Sequence, residues 1–196
     1  MIRFDENLDQ LILVGDVINK GPNSFAMIEW LFKHPTVITL MGNHENAFLK
    51  FLKGSFENPL FEDLKRKLSS DISHVKDWIN ELPLYYRDSQ KIVVHAGLEP
   101  KKAIEKQSQR ILTTIRTWDG KGKDLKSSEH YAWYHYYRLK TPIFFGHWAA
   151  NGLVRERNIT GLDTGCVYGG KLSAVILPEN KLVQVSAKKV YKQICY

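Results

Sequence analysis

Short apolar runs that stop at glycine punctuate the chain. Leu11–Val14 ends in Gly15-Asp16, Val37–Met41 in Gly42-Asn43-His44, Ile92–Val94 in His95-Ala96-Gly97, and Ile143–Phe145 in Gly146-His147. A weaker fifth run, Ile159-Thr160, leads through Gly161 to Asp163-Thr164-Gly165. Branched apolar runs of this length, bounded by glycine, predict buried strands. Polar residues just past such strand ends fall in the crevice where α/β sheets bind ligands. The pattern therefore gathers Asp16, Asn43, His44, His95 and His147 into one predicted cleft.

Helical spacing fills the intervals. Asn23 or Ser24 is placed to cap a helix running through Phe32, with Pro35 beyond it. Asn46–Lys53 reads as a helix stopped by Gly54, and Phe61–Leu68 and Ile72–Leu82 carry apolar residues near the helical period. Glu129–Leu139 is dense in aromatics, which suit core packing, or for a minority stacking on a nucleobase. The tail alternates over Leu172–Leu177, turns at Pro178-Glu179-Asn180 and alternates again over Leu182–Val185, which predicts a hairpin. Gly120-Lys121-Gly122-Lys123 reads as a flexible insert. Strands separated by helices, followed by a hairpin, predict an α/β fold with two packed sheets in a single domain over residues 1–196.

Composition narrows the class. The chain has 196 residues, 43% of them hydrophobic and 25% charged, which excludes a disordered chain. No apolar run approaches the roughly 18 residues of a membrane-spanning helix, and the first residues lack an apolar signal core. Cys166 and Cys195 are the only cysteines, which fits a cytoplasmic protein. The net charge of +7 favours anionic partners: phosphorylated small molecules first, with nucleic acid possible but not favoured. The basic residues are scattered, and no block reads as a binding tail.

Each strand-end residue alone is an ordinary cap or hydrogen-bonding group, and four together point to a metal. A carboxylate at Asp16, an amide oxygen at Asn43 and imidazoles at His95 and His147 form a mixed oxygen and nitrogen set. Such a set suits Mn, Fe, Co or Zn. His44, next to Asn43, is then free to reach a leaving-group oxygen as a proton donor. Glu45 either pairs with the His44 ring or is simply a first-turn acid favoured by the helix dipole. Lys20 and Arg116 are candidate phosphate clamps, one a point charge and the other a bidentate fork, although either could be a surface charge. Asp163-Thr164-Gly165-Cys166 with Gly169-Gly170 is either a rim loop, Asp163 orienting a ligand histidine, or a turn before the hairpin. Cys166 has no base near it in sequence and is not expected to be a nucleophile.

Gly15-Asp16-Val17-Ile18-Asn19-Lys20-Gly21-Pro22, Gly42-Asn43-His44-Glu45, His95-Ala96-Gly97, Gly146-His147-Trp148 and Asp163–Gly170 occur in this order. Together they resemble the calcineurin-like metallophosphoesterases of the phosphoprotein-phosphatase type, in particular the bacterial symmetrical diadenosine tetraphosphatase branch. The resemblance implies a β-sandwich flanked by helices in four layers, αββα. It implies two divalent metals at the sheet edge, with Asp16 bridging them and Asn43, His95 and His147 completing the shell of the second metal. It further implies in-line attack on phosphorus by a metal-activated water, with His44, beside Glu45, protonating the leaving group. The expected activity is hydrolysis of a phosphoric ester or anhydride, a dinucleoside polyphosphate before a serine/threonine or tyrosine phosphoprotein, with a catalytically inactive nucleotide- or RNA-binding relative as the other alternative. Two departures stand out. The family's opening Gly-Asp-x-His-Gly does not occur, so one strand and two ligands of the first metal are expected to be missing. Lysine also stands at position 20, where the family usually carries arginine.

Overall fold

The computed structural model describes residues 4–193. Strand β1 (Ile12–Leu13) runs parallel to β2 (Ile38–Thr39), with Ile12 opposite Ile38, and helix α1 (Ser24–Lys33) connects them. Three helices follow: α2 (Asn43–Leu52), α3 (Pro59–Leu68) and α4 (Ile72–Glu81). A five-stranded sheet is built from β3 (Tyr85–Arg87), β4 (Ile92–Val94), β5 (Ile143–Phe145), β6 (Val154–Glu156) and β7 (Ile159–Gly161), in the order β3-β4-β5-β7-β6. Its three central strands are parallel and both edges antiparallel. Helix α5 (Gln109–Thr114) lies between β4 and β5 in sequence, and β8 (Lys171–Ile176) pairs with β9 (Lys181–Ser186) as the hairpin.

Local chemistry accounts for the helix ends. The Asn23 side chain accepts from the Ala26 N–H and caps α1. Asn58 caps α3 through the Leu60 and Phe61 amides, Pro59 opens it, and Lys65, Arg66 and Lys67 sit in its last turn, where cations suit the dipole. Helix α2 begins at Asn43, earlier than the expected Asn46. Its cap is Gly42, whose N–H donates to the Glu45 side chain at 2.9 Å. A glycine cap has no side chain to announce it, and so the start was not legible.

The central strands alternate between two cores. Ile92, Val94, Ile143 and Phe145 face a cluster with Ile111, Leu112, Ile115 and Trp133. Val93 and Phe144 point the other way and join Leu40, Ile12, Val14, Ile38 and Val175. The β1–β2 pair and the hairpin, two separate two-stranded sheets, therefore both pack on one face of the larger sheet, in the layered α/β arrangement expected from sequence. A third cluster holds α1 to α4 together through Ile28, Leu31, Phe48, Phe61, Leu64, Val75 and Ile79.

Three elements were not anticipated: β3, β6 and α5. The two strands span three residues each and α5 only six, too short for a periodic signal. The aromatic segment divides as expected: Trp133 is buried in the core and Tyr131 is exposed. The Gly120–Lys123 stretch, expected to be a flexible insert, is instead a tied loop. The Asp119 carboxylate accepts from the amides of Lys121, Gly122, Lys123 and Asp124, at 2.6–3.1 Å, and Arg110 clasps the carbonyls of Gly122 and Lys123. Cys195 lies outside the described residues.

Candidate metal centre and active site

Four of the strand-end residues meet. His147 Nδ1 lies 2.7 Å from Asn43 Oδ1, and His95 Nε2 lies 3.0 Å from the same oxygen. The two ring nitrogens are 3.3 Å apart, and His95 Nε2 is 3.4 Å from Asp16 Oδ1. A transition ion with bonds of about 2.0–2.2 Å spaces its neighbouring donors roughly 3.0–3.4 Å apart, so these separations are close to the edges of a coordination polyhedron. The donor chemistry fits as well. His95 Nδ1 lies 2.7 Å from the Val14 carbonyl, which can only accept, so this nitrogen carries a proton, and the tautomer protonated there presents a lone pair at Nε2. That lone pair converges with amide and carboxylate oxygens, a cluster of acceptors that a cation resolves.

The backbone is bent to bring these groups together. Asp16 and His147 adopt positive φ, +58° and +67°, conformations that cost energy in non-glycine residues and gather at functional sites. Two glycines allow the close approach of the strand ends. A Cβ at Gly15, which also has a φ of +91°, would sit 2.7 Å from His95 Nδ1 and 2.9 Å from the Gly42 nitrogen. A Cβ at Gly42 would sit 2.5 Å from both the Asp16 nitrogen and Glu45 Oε2.

Charge is distributed accordingly. Burial works to raise the Asp16 carboxyl, but His95, His44, the His44 amide and His147 outweigh it and hold it below the usual value. Burial lowers the His147 ring to about 3, and His95 pushes in the same direction. His44 is also lowered by burial, against the pull of Asp16 and with a further push from Lys20. Its Nδ1 is 3.2 Å from the Ile18 carbonyl and 3.7 Å from Asp16 Oδ2.

Glu45 does not pair with His44. It is completely buried, and its carboxylate accepts from the amides of Asp16 (2.9 Å), Val17 (2.8 Å) and Gly42 (2.9 Å). The expected contact with the imidazole is therefore corrected: Glu45 positions the Asp16 turn from the first turn of α2. Burial pushes its carboxyl up to about 7, with Asp16 adding to the shift. Lys20 Nζ donates to the Tyr168 hydroxyl at 2.7 Å and lies over that ring. Arg116 Nε is buried without a hydrogen-bond partner, and its charge reaches His147. Asp163 receives the Gly165 amide at 3.2 Å and bonds no histidine, and burial raises its carboxyl. Burial also raises the Cys166 thiol, which keeps it protonated and unreactive. Sequence reasoning missed the Val14 carbonyl, which has no side-chain signature, and Tyr168, which lies far from Lys20 in the chain.

Comparison with known proteins gives a consistent result. The calcineurin-like phosphoesterase model matches residues 1–185. A symmetrical bis(5′-nucleosyl)-tetraphosphatase of Nitrosomonas europaea is 28% identical, over 94% of this chain and 90% of the relative. The enzyme of that name from Pseudomonas fluorescens is 29% identical, over 88% and 80%. Among solved structures, a crystal structure provisionally described as a diadenosine tetraphosphatase superposes with a TM-score of 0.78 at 29% identity, covering 94% of this chain and 83% of the other. A metallophosphoesterase from Sphaerobacter thermophilus shares the fold alone, with a TM-score of 0.52 and 14% identity over 92% and 78%.

Proposed function

The chain belongs to the calcineurin-like phosphoesterase family of metal-dependent phosphoric ester and anhydride hydrolases, and from that premise we propose that it hydrolyses a dinucleoside polyphosphate. The observation that carries the reading is the convergence of Asp16, Asn43, His95 and His147 within coordination distance of one another. The names of the relatives support the substrate. A nucleotide substrate and a chain with only two cysteines fit a cytoplasmic protein.

In this reading the four residues hold a divalent transition ion, Mn, Fe, Co or Zn. When bound, such an ion lowers the pKa of water and neutralises phosphate charge. Asp16 presents one oxygen to the cluster while the other faces His44, so one carboxylate orients both the ligand set and the proton donor. His44 donates through Nε2, because its Nδ1 is directed at the Ile18 carbonyl. Lys20, steadied by Tyr168, and Arg116, with its unpaired Nε, draw the phosphate oxygens into the cleft.

The test uses the full chain, stripped with a chelator and reloaded with each metal in turn. It is incubated with diadenosine tetraphosphate and, separately, with a phosphoserine peptide. The reading expects metal-dependent release of nucleoside diphosphate that His95→Ala abolishes. Preferential hydrolysis of the peptide would overturn the substrate assignment. Tight nucleotide binding without turnover under every metal would overturn the hydrolase reading in favour of a binding relative.

A further inference from the structure

A cleft of roughly 610 Å³ opens beside the metal cluster, between α2, α5 and the tied loop that follows Asp119. Two of its lining residues adjoin the centre. Asn46, one turn along α2 from Asn43, lines it, as does Thr114, whose backbone acts on the His147 ring. Its walls carry Lys50 from α2 and Lys123 and Lys126 from the loop, all exposed and none in an ion pair among the described residues. Arg110 is also there, clasping the loop. The one acid in the lining, Asp124, turns an oxygen to the amides of Lys126 and Ser127. Lys50 lies two turns of α2 beyond Asn43, a rise of about 10 Å. Among the described residues no aromatic side chain lines the cleft, which offers positive charge without a surface for stacking a base.

We propose that this cleft is a second anion subsite. It holds the distal phosphates of a polyphosphate substrate whose scissile phosphorus sits at Asp16, Asn43, His95 and His147. The inference rests on the hydrolase reading and names the part of the substrate that this wall recognises. The loop after Asp119 explains how the subsite is built. Four amides on one carboxylate and the Arg110 clasp fix the backbone that carries Lys123 and Lys126 opposite Lys50. Lysines act there as point charges, which suits a phosphate chain of variable path better than one fixed phosphate.

The experiment measures binding of inorganic tripolyphosphate to the full chain by calorimetry, after chelator treatment, so that no bound cation reports on the anion. The probe variant is Lys50→Gln/Lys123→Gln/Lys126→Gln, three exposed changes that leave the core intact. A charge-matched control, Lys181→Gln/Lys188→Gln/Lys189→Gln, alters the hairpin end instead. The expected result is a loss of about tenfold in tripolyphosphate affinity in the probe variant, with a shallower salt dependence and little change in the control. An unchanged affinity in the probe variant, or an equal loss in the control, would overturn the subsite. Selective tripolyphosphate binding without turnover of diadenosine tetraphosphate would keep the subsite and remove the hydrolase reading. Turnover by a probe variant with unaltered tripolyphosphate binding would do the reverse.

Discussion

His44 meets both oxygens of the Asp16 carboxylate: its N–H donates to Oδ1 at 3.0 Å, and its ring Nδ1 lies 3.7 Å from Oδ2. The same residue thus fixes the carboxylate of the candidate metal cluster through its backbone and responds to it through its side chain. Replacing the ring removes only the second of these. His44→Gln is expected to keep its metal, since Asn43 and the backbone donor remain. Turnover of diadenosine tetraphosphate is expected to fall by about 10²–10⁴. p-Nitrophenyl phosphate, whose leaving group needs little protonation, should lose much less. Metal content measured alongside steady-state rates on both substrates checks this, and equal losses on the two would contradict a proton-donor role.

Glu45→Gln tests the buried carboxylate. The amide offers one acceptor oxygen where four N–H groups converge, those of Asp16, Val17, Ile18 and Gly42, and its NH₂ faces donors. Leaving buried donors unpaired costs about 1–3 kcal/mol each, so urea denaturation is expected to show a loss of that order. Because the Asp16 turn would relax, metal affinity should weaken with it.

Gly42→Ala is expected to be worse than an ordinary helix-cap substitution. The new methyl would press on the Asp16 amide and on Glu45 Oε2, neither of which can retreat without breaking the other's hydrogen bond. Overpacking of this kind costs about 1–3 kcal/mol. Thermal melts should show the loss, and adding metal should recover less stability in the variant than in the wild type.

Acid titration of the metal-free protein follows from His147. Its ring is lowered from 6.5 to about 3 by burial and by His95, so between those values the unfolded chain binds a proton that the folded chain refuses. Stability rises with pH across that window and is lost as pH falls through it. Glu45, raised to about 7, contributes with the opposite sign between about 4.5 and 7, where the folded form keeps a proton that the unfolded form has released. Comparison with His147→Asn separates the two. The stability gap between wild type and variant should narrow as pH drops from 6.5 towards 3, and a gap independent of pH would refute the burial of a neutral ring.

Much of this site was legible because strands and their ends have a short-range code. Glycine after an apolar run marked the turn at Asp16, at Asn43 and at His147, and His95 followed its strand directly. All four lie just past the end of a strand, Asn43 as the first residue of α2. The candidate metal ligands were picked out by type and place, and their distances needed only the fold. What escaped was long-range or lacked a side chain. The Val14 carbonyl fixes the His95 tautomer across 81 positions, and Tyr168 meets Lys20 across 148. Glu45 was seen, but its partners were not, because a neighbour in sequence at the start of a helix points away from the residue before it. The loop after Asp119 looked loose by composition, yet one aspartate orders it, and nothing in the glycine and lysine content reveals that.

Glu45 also has a kinetic consequence. The Asp16 and Val17 amides belong to a turn after a two-residue strand, where backbone would ordinarily trade its hydrogens with solvent within moments. Here they bond to a fully buried acceptor that also binds the Gly42 amide across the cleft. Their deuterium uptake is therefore expected to keep pace with that of the α2 interior and to slip free only when that helix itself opens, so that this turn and the helix behind it exchange as one cooperative unit.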